Sequence, residues 1–382
     1  MRRADLLRTG VVAAGTVAFG PAFWRAAYGA TARPGPSPYG SLRRPDRNGV
    51  MLPARFTSRV VARGGARVGR TGHEWHLAAD GGATFATRDG GWIYVSNSER
   101  PLGLGGAGAI RFTAGGRVAD AYDILGDTSL NCSGGGTPWG TWLSAEEWDG
   151  GRVHECDPTG RREAVARPAL GVFAHEAVAV DPVRKRLYLT EDRPDGRLYR
   201  FTPERYPDLR QGRLEVAVAR ATGTVGWAAV PDPSAGRETL RAQTVGATGF
   251  DGGEGVWYGR GTVHFTTKGD GRVWSLAAAG DRLRVLYDPR RAGPGSPLQG
   301  VDNVIAARSG DLLVAEDGGN MEVVLITRER RVAPLLRLTG AEHDGSEVTG
   351  IAFDPSGRRL YLSSQRGGGG GITYEVAGPF RR

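Results

Sequence analysis

The chain has 382 residues, among them 61 Gly, 22 Pro and 2 Cys, with a formal net charge of +9. So much Gly and Pro, with little 3.6-residue periodicity after residue 30, argues against a helical bundle and for short strands joined by turns. The positive balance does not point to nucleic acid, because only Lys185 and Lys268 are lysines and the arginines are scattered, as in Arg161-Arg162 and Arg184-Lys-Arg186, rather than gathered on one segment.

The chain opens with Arg2-Arg3 and Leu6-Leu7, continues through an apolar stretch from Val11 to Phe23, and reaches the small residues Ala30-Thr31-Ala32. This order is similar to a twin-arginine export signal with a small-residue cleavage site. Residues 1–32 are therefore expected to be a leader, 33–53 a linker, and 54–380 a single domain. The apolar core is too short and too rich in Gly and Ala to be a membrane anchor. The mature protein is expected in the periplasm or outside the cell, as a monomer, with the twin-arginine machinery as its export partner. That route moves proteins already folded, often with a cofactor inserted.

The most informative stretch is Asn131-Cys-Ser-Gly-Gly-Gly-Thr-Pro-Trp-Gly-Thr-Trp-Leu-Ser-Ala-Glu-Glu147. A thiol beside a glycine run allows the backbone close to an ion, and Glu146 and Glu147 offer hard oxygen ligands. A glycine turn ahead of an ordinary strand with a solvated acidic end fits the same residues. Cys132 and Cys156 could also pair in an exported protein, although the surroundings of Cys132 favour a ligand.

A hydrophobic strand closing on small or hydroxylic residues and a polar pair recurs six times, as Tyr94-Val-Ser-Asn-Ser-Glu99, Trp142-Leu-Ser-Ala-Glu-Glu147, Tyr188-Leu-Thr-Glu-Asp-Arg193, His264-Phe-Thr-Thr-Lys-Gly269, Leu313-Val-Ala-Glu-Asp-Gly318 and Tyr361-Leu-Ser-Ser-Gln-Arg366. Aligned on Ser96, Ser144, Thr190, Thr266, Ala315 and Ser363, the copies lie 48, 46, 76, 49 and 48 residues apart. A period near 48 matches a four-stranded propeller blade, so the predicted fold is an all-β six-bladed β-propeller. The long gap predicts a loop-rich insertion around 203–245, marked by Pro203, Pro207, Pro231 and Pro233 and capping one face. Arg55-Phe-Thr-Ser-Arg-Val-Val61 is expected to pair with the last blade and close the ring.

Six innermost strands around one channel would gather Cys132, Glu147, Glu176, Glu254, Asp302, Glu316 and Glu347 at one end. Carboxylates at that density repel and raise one another's pKa unless cations neutralise them. The alternative for any one of them is a solvated strand end. Among the histidines, His73, His76, His154, His175, His264 and His343, no pair has the spacing of a helical zinc motif, and His175 should face away from Glu176. Carboxylates suit calcium, and one thiolate among them suits a transition ion such as iron.

The long motif around Cys132 resembles the signature of the PhoX-type alkaline phosphatase family. His175-Glu-Ala, Gly253-Glu-Gly, Asp302-Asn, Glu316-Asp-Gly and Glu347-Val-Thr-Gly follow it in order, so the resemblance covers roughly residues 80 to 370. It implies a six-bladed propeller and a metal-dependent phosphoric monoester hydrolase acting on a small phosphorylated substrate, with iron and calcium as cofactors. In such a site an oxide or hydroxide bound to metal attacks phosphorus at the channel mouth. Carried over, Cys132 would ligate iron, Glu147, Glu176, Glu254 and Asp302 would be acidic ligands, and Glu316 and Glu347 further ones.

One departure matters. The family's Arg-Pro-Glu element, whose arginine contacts phosphate, aligns with Gly252-Gly253-Glu254. Arg193, Lys268 or Arg366, each at or just after the end of a repeat strand, could supply the missing charge if they lean over the channel, with Glu254 in the catalytic group; solvated strand-end charges fit the same residues. Two other readings remain open: a calcium-dependent propeller lactonase or esterase, and a non-enzymatic propeller whose metals only staple the channel.

Overall fold

The computed structural model describes residues 19–382. Six sheets, antiparallel except where Arg33–Pro34 joins the edge of one of them, form a ring of blades. Their first strands, Ala79–Ala86, Asn131–Gly136, His175–Asp181, Gly253–Gly259, Val301–Ala306 and Val348–Phe353, lie side by side around a central channel. The second strands, Trp92–Ser98, Trp142–Glu146, Arg186–Glu191, Thr262–Thr267, Leu312–Glu316 and Arg359–Ser364, carry the six sequence repeats. Thr57–Arg63 pairs antiparallel with Ile372–Ala377, Val60 opposite Tyr374, and so closes the ring as expected. The N-terminal strand is thus the outermost strand of blade 6, which fastens the two ends of the ring together.

The apolar core is divided into six clusters, one at each junction between blades. Trp142 and Cys156 of blade 2 pack on Ile93 and Val95 of blade 1, and Tyr94 and Phe112 of blade 1 pack on Tyr361 of blade 6. Because each blade is covered on both faces, its middle strands are buried throughout, as in Trp92–Ser98. Strict polar and apolar alternation is therefore weak in the sequence.

Three regions differ from expectation. The Gly134-Gly135-Gly136 run is not a turn but the end of the first strand of blade 2. A Cβ at Gly134 would lie 2.0 Å from Leu143 O, and one at Gly135 would lie 1.8 Å from Val178 O, so glycine is required where neighbouring backbones touch.

The insertion is strand in its first half and loop in its second, where Pro231 and Pro233 lie. Leu198–Arg205, which contains Pro203, pairs with Asp208–Ala219, and Val225–Ala229 adds a fifth strand to the outer edge of blade 3. Leu209, Leu214 and Val216 are buried there, and that apolar face outweighs the turn signal of the prolines. Only the short helix Leu240–Gln243 returns to the channel rim, where Arg241 binds Glu191 at 3.0 Å and Asp149 at 3.4 Å.

The expected linker is also paired, since Arg33–Pro34 and Val50–Met51 both join Arg331–Leu338 of blade 5. Upstream of it, the helix Pro21–Ala27 lies on blade 4 with Phe23 and Ala27 buried. Residues 1–18, including Arg2-Arg3, Leu6-Leu7 and most of the apolar stretch, lie outside the described residues. No helix among the described residues is long and apolar enough to cross a membrane.

Candidate metal centre

One register rule builds the channel mouth. In the six blades, Ala79 faces Ser98, Asn131 faces Glu146, His175 faces Glu191, Gly253 faces Thr267, Val301 faces Glu316 and Val348 faces Ser364. Within one residue of each pair the first strand carries an extra residue, a bulge that re-aims its side chains, while the second strand ends at the same mouth with the residue just beyond the pair. Those next residues are Asp80 and Glu99, Cys132 and Glu147, Glu176 and Asp192, Glu254 and Lys268, Asp302 and Asp317, and Thr349 and Gln365. Glu347 enters from the loop before blade 6.

Three groups of donor atoms result, each with its atoms within 4.8 Å of one another: Glu99, Cys132 and Glu147; Asp80, Glu99 and Glu347; and Glu176, Glu254 and Asp302. Two ionised carboxylates 4.8 Å apart repel by roughly 3–4 kcal/mol at an effective dielectric constant of about 20. Burial, reinforced by neighbouring acids, pushes Asp80, Glu176 and Asp302 well above the usual carboxylate range. Burial does the same to Glu254, against the opposing charge of Lys268. Burial and the charges of Asp192 and Glu99 raise Glu147 to about 8, and burial with Asp317 raises Glu347 to about 7. The Cys132 thiol is raised well above its ordinary value, first by burial and then by Asp80 and Glu176.

The donors fit a bound cation. Both carboxylate oxygens of Glu176 are buried without a hydrogen bond, and so is Gln365 Oε1. Buried polar atoms in native proteins are rarely left so, and a cation coordinated by hard oxygens satisfies them. Protein cations stand at the rim. Lys268 Nζ is 2.8 Å from Glu254 Oε1, 3.1 Å from Asp317 and 4.0 Å from Asp192. Arg366 bridges Glu347 at 2.5 Å and Glu99 at 2.9 Å, while Arg193 lies 3.2 Å from Asp149 and 3.8 Å from Glu147. Burial alone would lower the pKa of Lys268, but the charges of Glu254, Asp302 and Asp192 outweigh it and hold the ammonium protonated.

Of the acids expected at the centre, Glu316 does not join it, which corrects that expectation. Its carboxylate accepts the amides of Gln299 at 2.6 Å and Glu322 at 3.1 Å and so staples blade 5. Asp317, one residue on, takes the channel position. Glu146 has the same role in blade 2, binding the amides of Ser129 and Arg152. His175 is buried against Phe173, with Nε2 3.0 Å from Gly171 O, and belongs to none of the donor groups. Cys132 and Cys156 are both free thiols, and Cys156 is buried at the blade 1 junction.

Asp80 carries no signal in the sequence pattern, and Glu99, Asp192, Asp317 and Gln365 stand there only as parts of the repeat, not as site candidates. The signal was present in the repeat itself: aligning the copies on Glu146, Glu191 and Glu316 puts Glu147, Asp192, Lys268 and Asp317 in one column. Gln365 donates to Asp80 and, at 2.9 Å, to Glu99, so it orients both.

The position expected to carry a phosphate-binding arginine has a definite geometry. Gly252 has φ +66°, and a Cβ there would meet Asp192 Oδ1 at 3.1 Å. Its amide donates to Arg193 O at 2.9 Å and its carbonyl accepts from the Lys268 amide at 2.7 Å. Arg193 and Lys268 are thus hydrogen-bonded neighbours of the glycine itself.

The sequence matches the family described as alkaline phosphatase PhoX over residues 71–368. No curated protein sequence matches the chain. Among solved structures, Pseudomonas fluorescens PhoX in complex with vanadate, a transition-state analogue, is similar with a TM-score of 0.70 at 15% identity, covering 91% of this chain and 98% of that one. A gluconolactonase from Xanthomonas campestris has a TM-score of 0.50 at 12% identity, covering 90% and 99%. At these identities the likeness is one of fold, whereas the family match spans most of the sequence. The chain belongs to the alkaline phosphatase PhoX family, whose activity is the hydrolysis of phosphoric monoesters.

Proposed function

We propose that the acidic channel mouth is the catalytic centre of an exported, metal-dependent phosphoric monoester hydrolase, with Lys268 in the role of the missing arginine. The observation that carries this reading is the register rule. Five blades place Glu, Asp or Gln at the second mouth position, and blade 4 alone places a cation there, bonded to Gly252. The thiol and carboxylates of Glu99, Cys132 and Glu147 suit iron, and the all-oxygen groups around Asp80 and Glu176 suit calcium. When bound, such ions supply polarisation of the phosphoryl oxygens and an activated oxygen nucleophile.

The protein's own part is positioning and charge. Arg193 and Arg366, at the rim, draw in the phosphate dianion. Lys268 stays protonated and meets the charge that builds on the equatorial oxygens as the ester bond breaks. A lysine is a point charge without the planar fork of arginine, so phosphate orientation rests more on the metal-binding acids than on this residue. No side-chain nucleophile is required, and Cys132, protonated until it meets a metal, serves as a ligand.

Protein recovered after export should contain iron and calcium and should hydrolyse a chromogenic phosphomonoester in a chelator-sensitive way. Lys268→Met should lower kcat/KM about 100-fold while metal content is kept. Metal-free protein with no chelator-sensitive turnover would sink the metal reading; full activity in the lysine variant would remove Lys268 from the mechanism.

A further inference from the structure

The twin-arginine pattern predicts a cut after Ala32, yet the structure gives that bond little freedom. Ala32 is fully buried against Tyr287 and Leu298, and its amide donates to Leu286 O at 2.7 Å. The Arg33 amide donates to Arg330 O at 3.0 Å, and Arg33–Pro34 runs parallel to Arg331–Val332. Both sides of the bond are therefore tied to the outer edges of blades 4 and 5.

Upstream, an aromatic row seals the junction of blades 3 and 4. Phe19 stacks on Phe23 at 4.2 Å and on Trp274 at 5.5 Å, and also meets Phe250 at 5.7 Å. Trp24 stacks on Tyr28 at 5.3 Å, with the Arg272 guanidinium 4.6 Å from the centre of its ring. Tyr28 donates to Asp288, bridges to Val285 and lies under Arg291 at 3.6 Å. These are contacts of a blade component rather than of a discarded tail. Phe23 and Ala27 belong to the same buried cluster as Phe265 and Leu283.

We infer that residues 19–32 stay with the exported protein as a strap over blades 3 to 5, and that the leader is cut upstream of Phe19. The inference rests on the reading that the protein is exported folded. A peptidase needs an accessible, extended segment, and cutting concentrates where the backbone is exposed and unpaired. A folded cargo presents the Ala32–Arg33 bond hydrogen-bonded on both sides, with Ala32 buried and Arg33 fixed at the edge of blade 5. Removing residues 19–32 would also uncover Phe250 and Trp274 as an apolar patch on a secreted surface.

The test is the intact mass and N-terminal sequence of protein recovered from the periplasm or medium. A mature chain beginning at or before Phe19 is expected, and one beginning at Arg33 overturns the inference. Absence of protein outside the cytoplasm refutes export instead, and a second measurement then decides on the strap. In the purified full chain, the pair Phe23→Ser and Trp24→Ser should lower Tm by about 5 °C or more. It should also speed elastase cutting after Ala32 at least tenfold. An unchanged Tm, or equally fast cutting of the parent chain at that bond, overturns the inference.

Discussion

Along the second strands of blades 2 and 5, consecutive carboxylates serve different ends. Glu146 and Glu316 turn into their blades, and each accepts two backbone amides. Glu147 and Asp317, one residue on, stand at the channel mouth among like charges. Blade 3 repeats the pairing, with Glu191 held by Tyr199 at 2.9 Å and Arg241 at 3.0 Å while Asp192 faces Lys268. The difference teaches that a buried acid is not by itself a metal ligand. An acid whose lone pairs are already taken by fixed donors is a structural staple, and one with bare oxygens among other acids awaits a cation.

The largest effect that would sharpen this contrast is at Glu176, whose oxygens have no partner in the protein. Glu176→Gln should remove metal and reduce phosphomonoester turnover by more than the roughly 100-fold that losing an outer partner of a metal site costs. Wild-type metal content in that variant would break the comparison at its clearest point. A paired exchange comes next. Glu316→Ala should destabilise the fold by about 2–3 kcal/mol, read by denaturant unfolding, because two amides lose a charged acceptor, while metal content stays unchanged. Asp317→Asn should do the reverse, leaving stability near the parent and weakening metal retention and activity. If the two variants exchange these outcomes, the assignment of staple and mouth positions is wrong.

The smallest expected effect is a pH dependence of the chelated protein. Glu147 titrates near 8 and Glu347 near 7 in the folded chain, above the ordinary carboxylate value, so the folded state binds more protons than the unfolded one between those limits. Their favourable contribution is complete below the unfolded value of about 4.3 and is lost as pH rises through 7 to 8. Tm of metal-free protein should therefore fall between pH 5 and pH 8, and calcium should restore it at pH 8, where the acids are charged. A chelated protein more stable at pH 8 than at pH 5 would contradict the acidic mouth.

Much of this was legible in the chain. Six copies of a strand pattern, a period near 48 and a closing segment at residues 55–61 specify a six-bladed ring, because each blade must bury the same faces against its neighbours. Cys132, Glu147, Glu176, Glu254, Asp302 and Glu347 were all picked out as candidates and are brought together. Pro203 and Pro207 misled about residues 203–219, where the apolar faces of Leu209, Leu214 and Val216 extend blade 3, whereas Pro231 and Pro233 do lie in loop. Asp80 was hidden because Gly81-Gly82 breaks the hydrophobic pattern of the first inner strand. A Cβ at Gly81 would meet Ser133 Cα at 2.5 Å, a close approach between blades that local sequence does not announce.

What the sequence determined alone was the repeat, the ring it implies and the inventory of acids. Which of two adjacent acids enters the channel was decided by tertiary structure. Side chains alternate along a strand, so Glu316 and Asp317 face opposite ways, and the pairing of Glu316 with Val301 together with the Gln299 and Glu322 amides that hold its carboxylate leaves Asp317 to the channel. The same holds for Gly252 and Lys268. They are sixteen residues apart in the chain, and only the pairing of the first two strands of blade 4 brings the cation to the place the glycine leaves open.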